Sequence, residues 1–233
     1  MHDLVFRESD VSRTISPDEE MPIQDIEIYF SAGRSAVACI NLAMHAAQKS
    51  ASDVTRILDL PCGHGRILRY LKAAFPEAEI TACDIRRDAV DFCASTFGAV
   101  PVYSHDDPAK ISLEHNVFDL TWVGSLFTHL DVDLWSSFLS LFRSVLHPSG
   151  VLVFSTHGYD AYRRMVTGSF EYGIPYYRKT LFFTVTSAMA SDTSDIQAQK
   201  AVTGYHCLIP SGCLRILPRS VDLERSAFPR KAG

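Results

Sequence analysis

The residues of this 233-residue chain whose types and spacing suggest chemistry follow two short apolar runs. The run Thr55–Leu60 carries Asp59 near its end and leads into Pro61-Cys62-Gly63-His64-Gly65. A second run, Glu79–Cys83, ends at Asp84, nineteen positions beyond Gly65. Glycines at such a turn let the backbone approach a ligand closely, and a following helix offers free N–H groups. A carboxylate after the second strand accepts hydrogen bonds from both hydroxyls of a ribose. The spacing is that of a nucleoside site. A dinucleotide fingerprint would need a small residue three positions after the second glycine, and that position is Leu68. Asp59 would also face a pyrophosphate unfavourably, whereas it suits an ammonium group such as that of a methionine moiety. A plainer reading stands beside this one, with Gly63 and Gly65 as turn glycines and Asp84 as a helix cap.

Other side chains fall where a second reactant would be handled. His129 and His157 follow the fourth and fifth predicted strands. An imidazole there can take a proton from an attacking hydroxyl or amine, and each reads as well as a hydrogen-bonding structural histidine. Cys62, beside a helix start, is either a low-pKa nucleophile or a structural loop residue, and no base is placed for it by sequence. Tyr29, Phe30 and Arg34 either close over a ligand or pack a helix. Tyr162, Tyr172, Tyr176 and Tyr177 follow the fifth strand, in an aromatic-rich segment suited to acceptor specificity or to a lid surface.

The elements that position these residues are legible in the apolar pattern. Residues 1–22 are polar and aperiodic and read as a flexible lead-in. Apolar positions from Ile26 to Ala46 recur at helical steps, so one or two helices occupy 23–50. Strands are expected at Thr55–Leu60, Glu79–Cys83, Ala99–Tyr103, Val117–Val123 and Val151–Phe154. Pro101 marks the third as an edge. Helices between them begin near Ile67, Ala89 and Asp131, and His147-Pro-Ser-Gly150 is expected to break the last of these helices before the fifth strand. Alternating strands and helices give an α/β fold with a doubly wound, mostly parallel sheet over a core at 51–158. Ligands in such sheets bind beyond the carboxyl ends of the strands. Residues 159–233 fit poorly, with strands suggested at Leu181–Thr186 and Tyr205–Ile209 only, so the C-terminal segment reads as diverged or truncated. A missing last strand would expose a sheet edge and favour a homodimer.

Composition narrows the partners. Net charge is −5 with no Lys/Arg run, which argues against nucleic acid. The start of the chain lacks a signal-peptide h-region and no run is long enough to span a bilayer, so a cytoplasmic protein without membrane contact is expected. Six cysteines without a C-x-x-C signal neither disulfides nor a metal site.

The stretch Ile57-Leu58-Asp59 through Gly65, with Asp84, resembles the first motifs of the class I S-adenosylmethionine-dependent methyltransferases. The likeness continues through Ser104-His-Asp-Asp-Pro108, the segment Phe118–Leu130 and Ser155-Thr-His-Gly158, and covers roughly residues 27–158. The segments Gly124–Leu130 and Ser155–Gly158 look like a bacterial subgroup often found with sugar-modifying enzymes. The resemblance implies S-adenosyl-L-methionine as cofactor. It gives Asp59, Gly63 and Gly65 to the methionine end, with Cys62 lining the loop, and Asp84 to the ribose. It gives Ile85, His105 and Asp106 to the adenine, and Ser125 to the sulfonium and acceptor side. The implied activity is methyl transfer to O or N of a small molecule, a sugar or natural-product intermediate, with alignment doing most of the work. The rivals are a non-catalytic nucleoside-binding module and, disfavoured by Leu68 and Asp59, an NAD-dependent oxidoreductase.

Overall fold

In the computed structural model, which describes residues 4–21, 25–156 and 205–208, the apolar runs form a six-stranded sheet ordered β3-β2-β1-β4-β5-β6. These strands are β1 (Arg56–Asp59), β2 (Glu79–Asp84), β3 (Val100–Tyr103), β4 (Phe118–Val123), β5 (Leu146–Ser155) and β6 (Tyr205–Leu208). The first five run parallel and β6 is antiparallel to β5. Parallel neighbours need crossovers, and three of these carry helices: α2 (Leu68–Ala74), α3 (Arg87–Phe97) and α4 (Val132–Val145). Ahead of the sheet, α1 (Ile26–Ala46) is one continuous helix.

Both faces of the sheet are apolar because side chains alternate along each strand. Ile57, Val151 and Val153 enter a core shared with α1, α2 and α3, while Leu58, Leu152 and Phe154 enter a second core with Phe138, Phe142 and Val145 of α4. This is the expected α/β doubly wound arrangement. Pro101 lies in β3 at the sheet margin, where its missing N–H costs no ladder bond. Gly98 ends α3 at φ +69, its amide returning to Ala94.

Three expectations change. The lead-in is not free: Val11 and Ser16 are buried, Leu4 N–H donates to Asn41 Oδ1, and the Tyr70 hydroxyl donates to Glu8 at 3.0 Å. Its polar side chains are consumed by specific partners on α1 and α2, which an aperiodic sequence does not announce. α4 ends at Val145, ahead of His147-Pro-Ser-Gly150 as expected, but that stretch lies inside β5, which begins at Leu146 and not at Val151. The Leu146↔Phe118 pair is followed by Val151↔Leu120, so the extra residues bulge out of β5. Finally, β6 pairs with Leu152–Ser155 of β5, so that stretch of edge, on which the homodimer expectation rested, is covered. Leu181–Thr186 lies outside the described residues.

The α1–α2 contact is made at Gly33, where a Cβ would lie 2.0 Å from the ring of Tyr70, itself fully buried. Helix propensity alone favours alanine there by about 1 kcal/mol, but overpacking of about 3 kcal/mol outweighs it. Gly33→Ala is therefore expected to lower stability by about 2 kcal/mol, or about 4–8 °C by calorimetry. A rise in melting temperature would contradict this contact.

Candidate functional site

Because β1 stands between β2 and β4, the carboxyl ends of these strands meet at one edge of the sheet. Asp59 closes β1, in register with Ala82 on one side and Trp122 on the other. It is 1% exposed, and neither of its carboxylate oxygens has a hydrogen-bond partner. Burial first, and the Asp84 charge second, hold its pKa well above the usual aspartate range. A buried acid without a partner is costly, and what it lacks is a cation.

The loop after Asp59 is fixed from β2. Cys62 N–H donates to Cys83 O at 3.0 Å, Gly63 N–H to Asp84 Oδ2 at 2.8 Å, and Gly65 N–H to Cys62 O at 3.1 Å. The other oxygen of Asp84 accepts from Arg86 N–H at 3.0 Å. One carboxylate thus serves both the turn into α3 and the glycine loop. Asp84 makes an Asx turn and a tether and not the helix cap of the plainer reading, since the N-cap of α3 is Arg86.

The two glycines are needed for different reasons. At Gly63 (φ +49) a Cβ would meet nothing within 4 Å, so this residue faces open space. At Gly65 (φ +76) a Cβ would lie 2.4 Å from the Phe97 ring and 3.2 Å from Cys93 Sγ. Gly63 leaves room above the loop, and Gly65 lets the loop lie against α3. Gly65→Ala is expected to cost about 2 kcal/mol from strain and overpacking, and Gly63→Ala about half of that, from its φ alone. Equal losses in thermal unfolding would contradict the distinction.

Cys62 is buried, and its hydrogen bond with Cys93, then burial, push its thiol pKa up. Burial and this shift suit the structural-loop reading of Cys62, since a nucleophile needs a lowered pKa. Cys93 donates to Gly63 O at 3.3 Å, so the thiols brace the loop.

The remaining candidates ring the same edge. Ile85 follows Asp84 and is 56% exposed, an apolar shelf beside a carboxylate. His105 and Asp106, both exposed, follow β3, whose end is held to β2 by Ser104 N–H donating to Asp84 O at 2.8 Å. His105 Nδ1 accepts from Asp107 N–H at 2.9 Å. Ser125 follows β4 at φ +62, a conformation disfavoured for serine by about 1 kcal/mol or more. Its N–H donates to Ser155 Oγ at 2.7 Å and its carbonyl accepts from Thr128 Oγ1 at 2.6 Å, which joins the ends of β4 and β5. His129 is exposed on the turn that follows. His157 and the tyrosines at 162, 172, 176 and 177 lie outside the described residues. Tyr29 and Phe30 are 1% exposed and pack α1, and Arg34 pairs with Glu8 and Glu27, so these residues take the helix-packing reading.

Two residues at the loop were not singled out by sequence. His64 is 3% exposed, with Nε2 3.2 Å from Asp88 Oδ2. Arg69, 1% exposed, donates from Nε to Gly65 O at 3.0 Å. The available signal was a cation one helical turn after Gly65, amid the apolar Ile67, Leu68 and Leu71.

Residues 57–150 match the family model described as a methyltransferase domain. Among curated proteins, the chain is similar to the malonyl-[acyl-carrier protein] O-methyltransferase of Bacillus anthracis, 30% identical over 119 residues, covering 51% of this chain and 43% of that protein. The enzyme of the same name from Halalkalibacterium halodurans is 29% identical over 121 residues, covering 49% of this chain and 44% of the relative. The chain thus spans less than half the length of these relatives. Among solved structures, a SAM dependent methyltransferase from Archaeoglobus fulgidus aligns with TM-score 0.49 at 20% identity, over 75% of this chain and 72% of that one.

Proposed function

We propose that this chain, whose residues 57–150 are a class I S-adenosylmethionine-dependent methyltransferase domain, methylates an oxygen of a small molecule in the cytoplasm. The observation that carries the reading is Asp59: a buried, unpartnered carboxylate beside the open face of Gly63 and one strand from Asp84. A methionine ammonium supplies the cation that Asp59 lacks, and a ribose suits Asp84. The exposed Ile85 offers an apolar face for adenine, with His105 and Asp106 at its margin. The residues present therefore fit the cofactor.

When bound, the cofactor supplies a methyl group on a positively charged sulfur, an already activated leaving group. The work left to the protein is alignment. Asp59 and the loop Cys62–Gly65 hold one end, Asp84 the middle, and Ser125, fixed by Ser155 and Thr128, shapes the rim toward the acceptor. His129 is the described candidate for accepting a proton from a hydroxyl, with His157 as the second. A carboxylate acceptor would need neither. Oxygen is preferred over nitrogen because the curated relatives are named O-methyltransferases. A small acceptor, such as a sugar or natural-product intermediate, is preferred over a polyanion because the chain carries a net charge of −5. Among the described residues no helix is long and apolar enough to cross a membrane, and Cys62, Cys83 and Cys93 are in no disulfide, which suits a reducing compartment.

The test is turnover with methyl-labelled S-adenosylmethionine over panels of carboxylates, hydroxylated sugars and amines. Label on oxygen supports the proposal. Label only on nitrogen overturns its acceptor chemistry, and cofactor binding with no turnover on any panel favours a binding module.

A further inference from the structure

We propose that Glu19 and Glu20, neighbours in the N-terminal arm (residues 4–21), are positioning residues that hold the cofactor loop in its binding geometry by two separate routes. The inference rests on the reading of Gly63–Gly65 as the cofactor loop.

The first route runs through Arg69. Its guanidinium is buried among the rings of Tyr29, Phe30 and Phe97, with centroids 5.5, 5.5 and 5.3 Å away. Nε donates to Gly65 O at 3.0 Å, Nη1 to Ser12 O at 3.0 Å and Nη2 to the Tyr29 hydroxyl at 3.4 Å. That hydroxyl donates in turn to Glu19 Oε2 at 2.7 Å. A buried cation needs a counter-charge, and among the described residues Glu19 supplies it through the Tyr29 hydroxyl. The second route starts one residue later. Glu20 pairs with Arg86, whose Nε donates to Asp88 Oδ1 at 3.3 Å, and the other oxygen of Asp88 meets His64 Nε2 at 3.2 Å. The backbone N–H of Arg86 also donates to Asp84, the tether of Gly63.

Exposed ion pairs such as Glu20–Arg86 contribute little stability, so stability alone does not account for this arrangement. What the two routes share is their end point: one stops at the Gly65 carbonyl, the other at His64. The loop they grip is otherwise free on its ligand side, at Gly63. An arm that favours the bound form of the loop is favoured by the cofactor in return, because such coupling is reciprocal.

The double variant Glu19→Gln/Glu20→Gln keeps side-chain shape and removes both charges. Titration of the full chain with S-adenosylhomocysteine is expected to show about tenfold weaker binding, or about 1.4 kcal/mol. KM for S-adenosylmethionine rises by a similar factor, with kcat within about twofold. In the wild type, S-adenosylhomocysteine slows tryptic cleavage after Arg7 and Arg13, which are exposed. Glu20→Gln alters a side chain that is 75% exposed, keeps the fold, and is expected to give about a threefold loss through the second route alone. Unchanged affinity in both folded variants, with cleavage indifferent to ligand, overturns the proposal and leaves the arm as packing. A wild type that does not bind S-adenosylhomocysteine overturns the cofactor reading, and this one with it.

Discussion

Asp59→Asn is expected to do two opposite things: to stabilise the ligand-free protein and to cripple cofactor binding. The free protein buries this carboxyl without a partner, beside Asp84. An isosteric amide removes the cost of charging it, a gain of about 1 kcal/mol, or about 2–4 °C in melting temperature. The same change removes the counter-charge of the ammonium, a loss of about 2–3 kcal/mol, which weakens binding about 30- to 150-fold. A pH dependence follows from the raised pKa. Folded Asp59 holds its proton above the usual aspartate range, so the folded chain binds more protons than the unfolded one in that window. Stability of the free protein therefore falls as pH rises from the ordinary aspartate range through the pKa of folded Asp59, and Asp59→Asn flattens that slope. Cofactor binding favours the ionised acid, so affinity rises through the same window and binding releases a proton. Calorimetry in buffers of different ionisation enthalpy checks this. A variant that is destabilised yet binds normally would remove Asp59 from the site.

The largest loss is expected at Asp84. Two ribose hydroxyls donating to one carboxylate are worth about 3–4 kcal/mol, so Asp84→Ala should weaken S-adenosylhomocysteine binding several hundredfold. Part of that loss passes through the loop, because Gly63 N–H loses its 2.8 Å acceptor. Asp84→Asn separates the two contributions in part: the amide oxygen can still accept from Gly63 while the Arg86 N–H loses its acceptor, so its melting temperature should fall between those of wild type and Asp84→Ala while affinity still falls at least tenfold. If both variants melt early but bind normally at low temperature, Asp84 is an Asx turn and nothing more.

The elements on which Asp59 and Asp84 sit were legible because short apolar runs ending in an acid, separated by helical periodicity, have few other solutions in an α/β chain. Pro101 marked the edge strand for a reason that acts on the backbone alone. What did not show is what depends on distant partners. The arm read as a flexible lead-in because hydrogen bonds donated by Tyr70, Arg69 and Tyr29 to Glu8, Ser12 and Glu19 leave no period in the sequence. Gly65 read as a ligand-side glycine, yet its constraint is the Phe97 ring of a helix more than twenty residues later. His147-Pro-Ser-Gly150 marked the end of α4, but its place as a bulge inside β5 depends on pairing with β4, which the local sequence does not show. Tyr205–Leu208 was visible as a strand, while its pairing with β5 was not.

The central claim is that the loop Asp59–Gly65 and Asp84 together hold the methyl donor. Its most direct test is a calorimetric titration of the full chain with S-adenosylhomocysteine and, separately, with NAD. One-to-one binding of S-adenosylhomocysteine that is lost in Asp84→Ala, with no heat from NAD, is the predicted result. Binding of NAD without S-adenosylhomocysteine would contradict it.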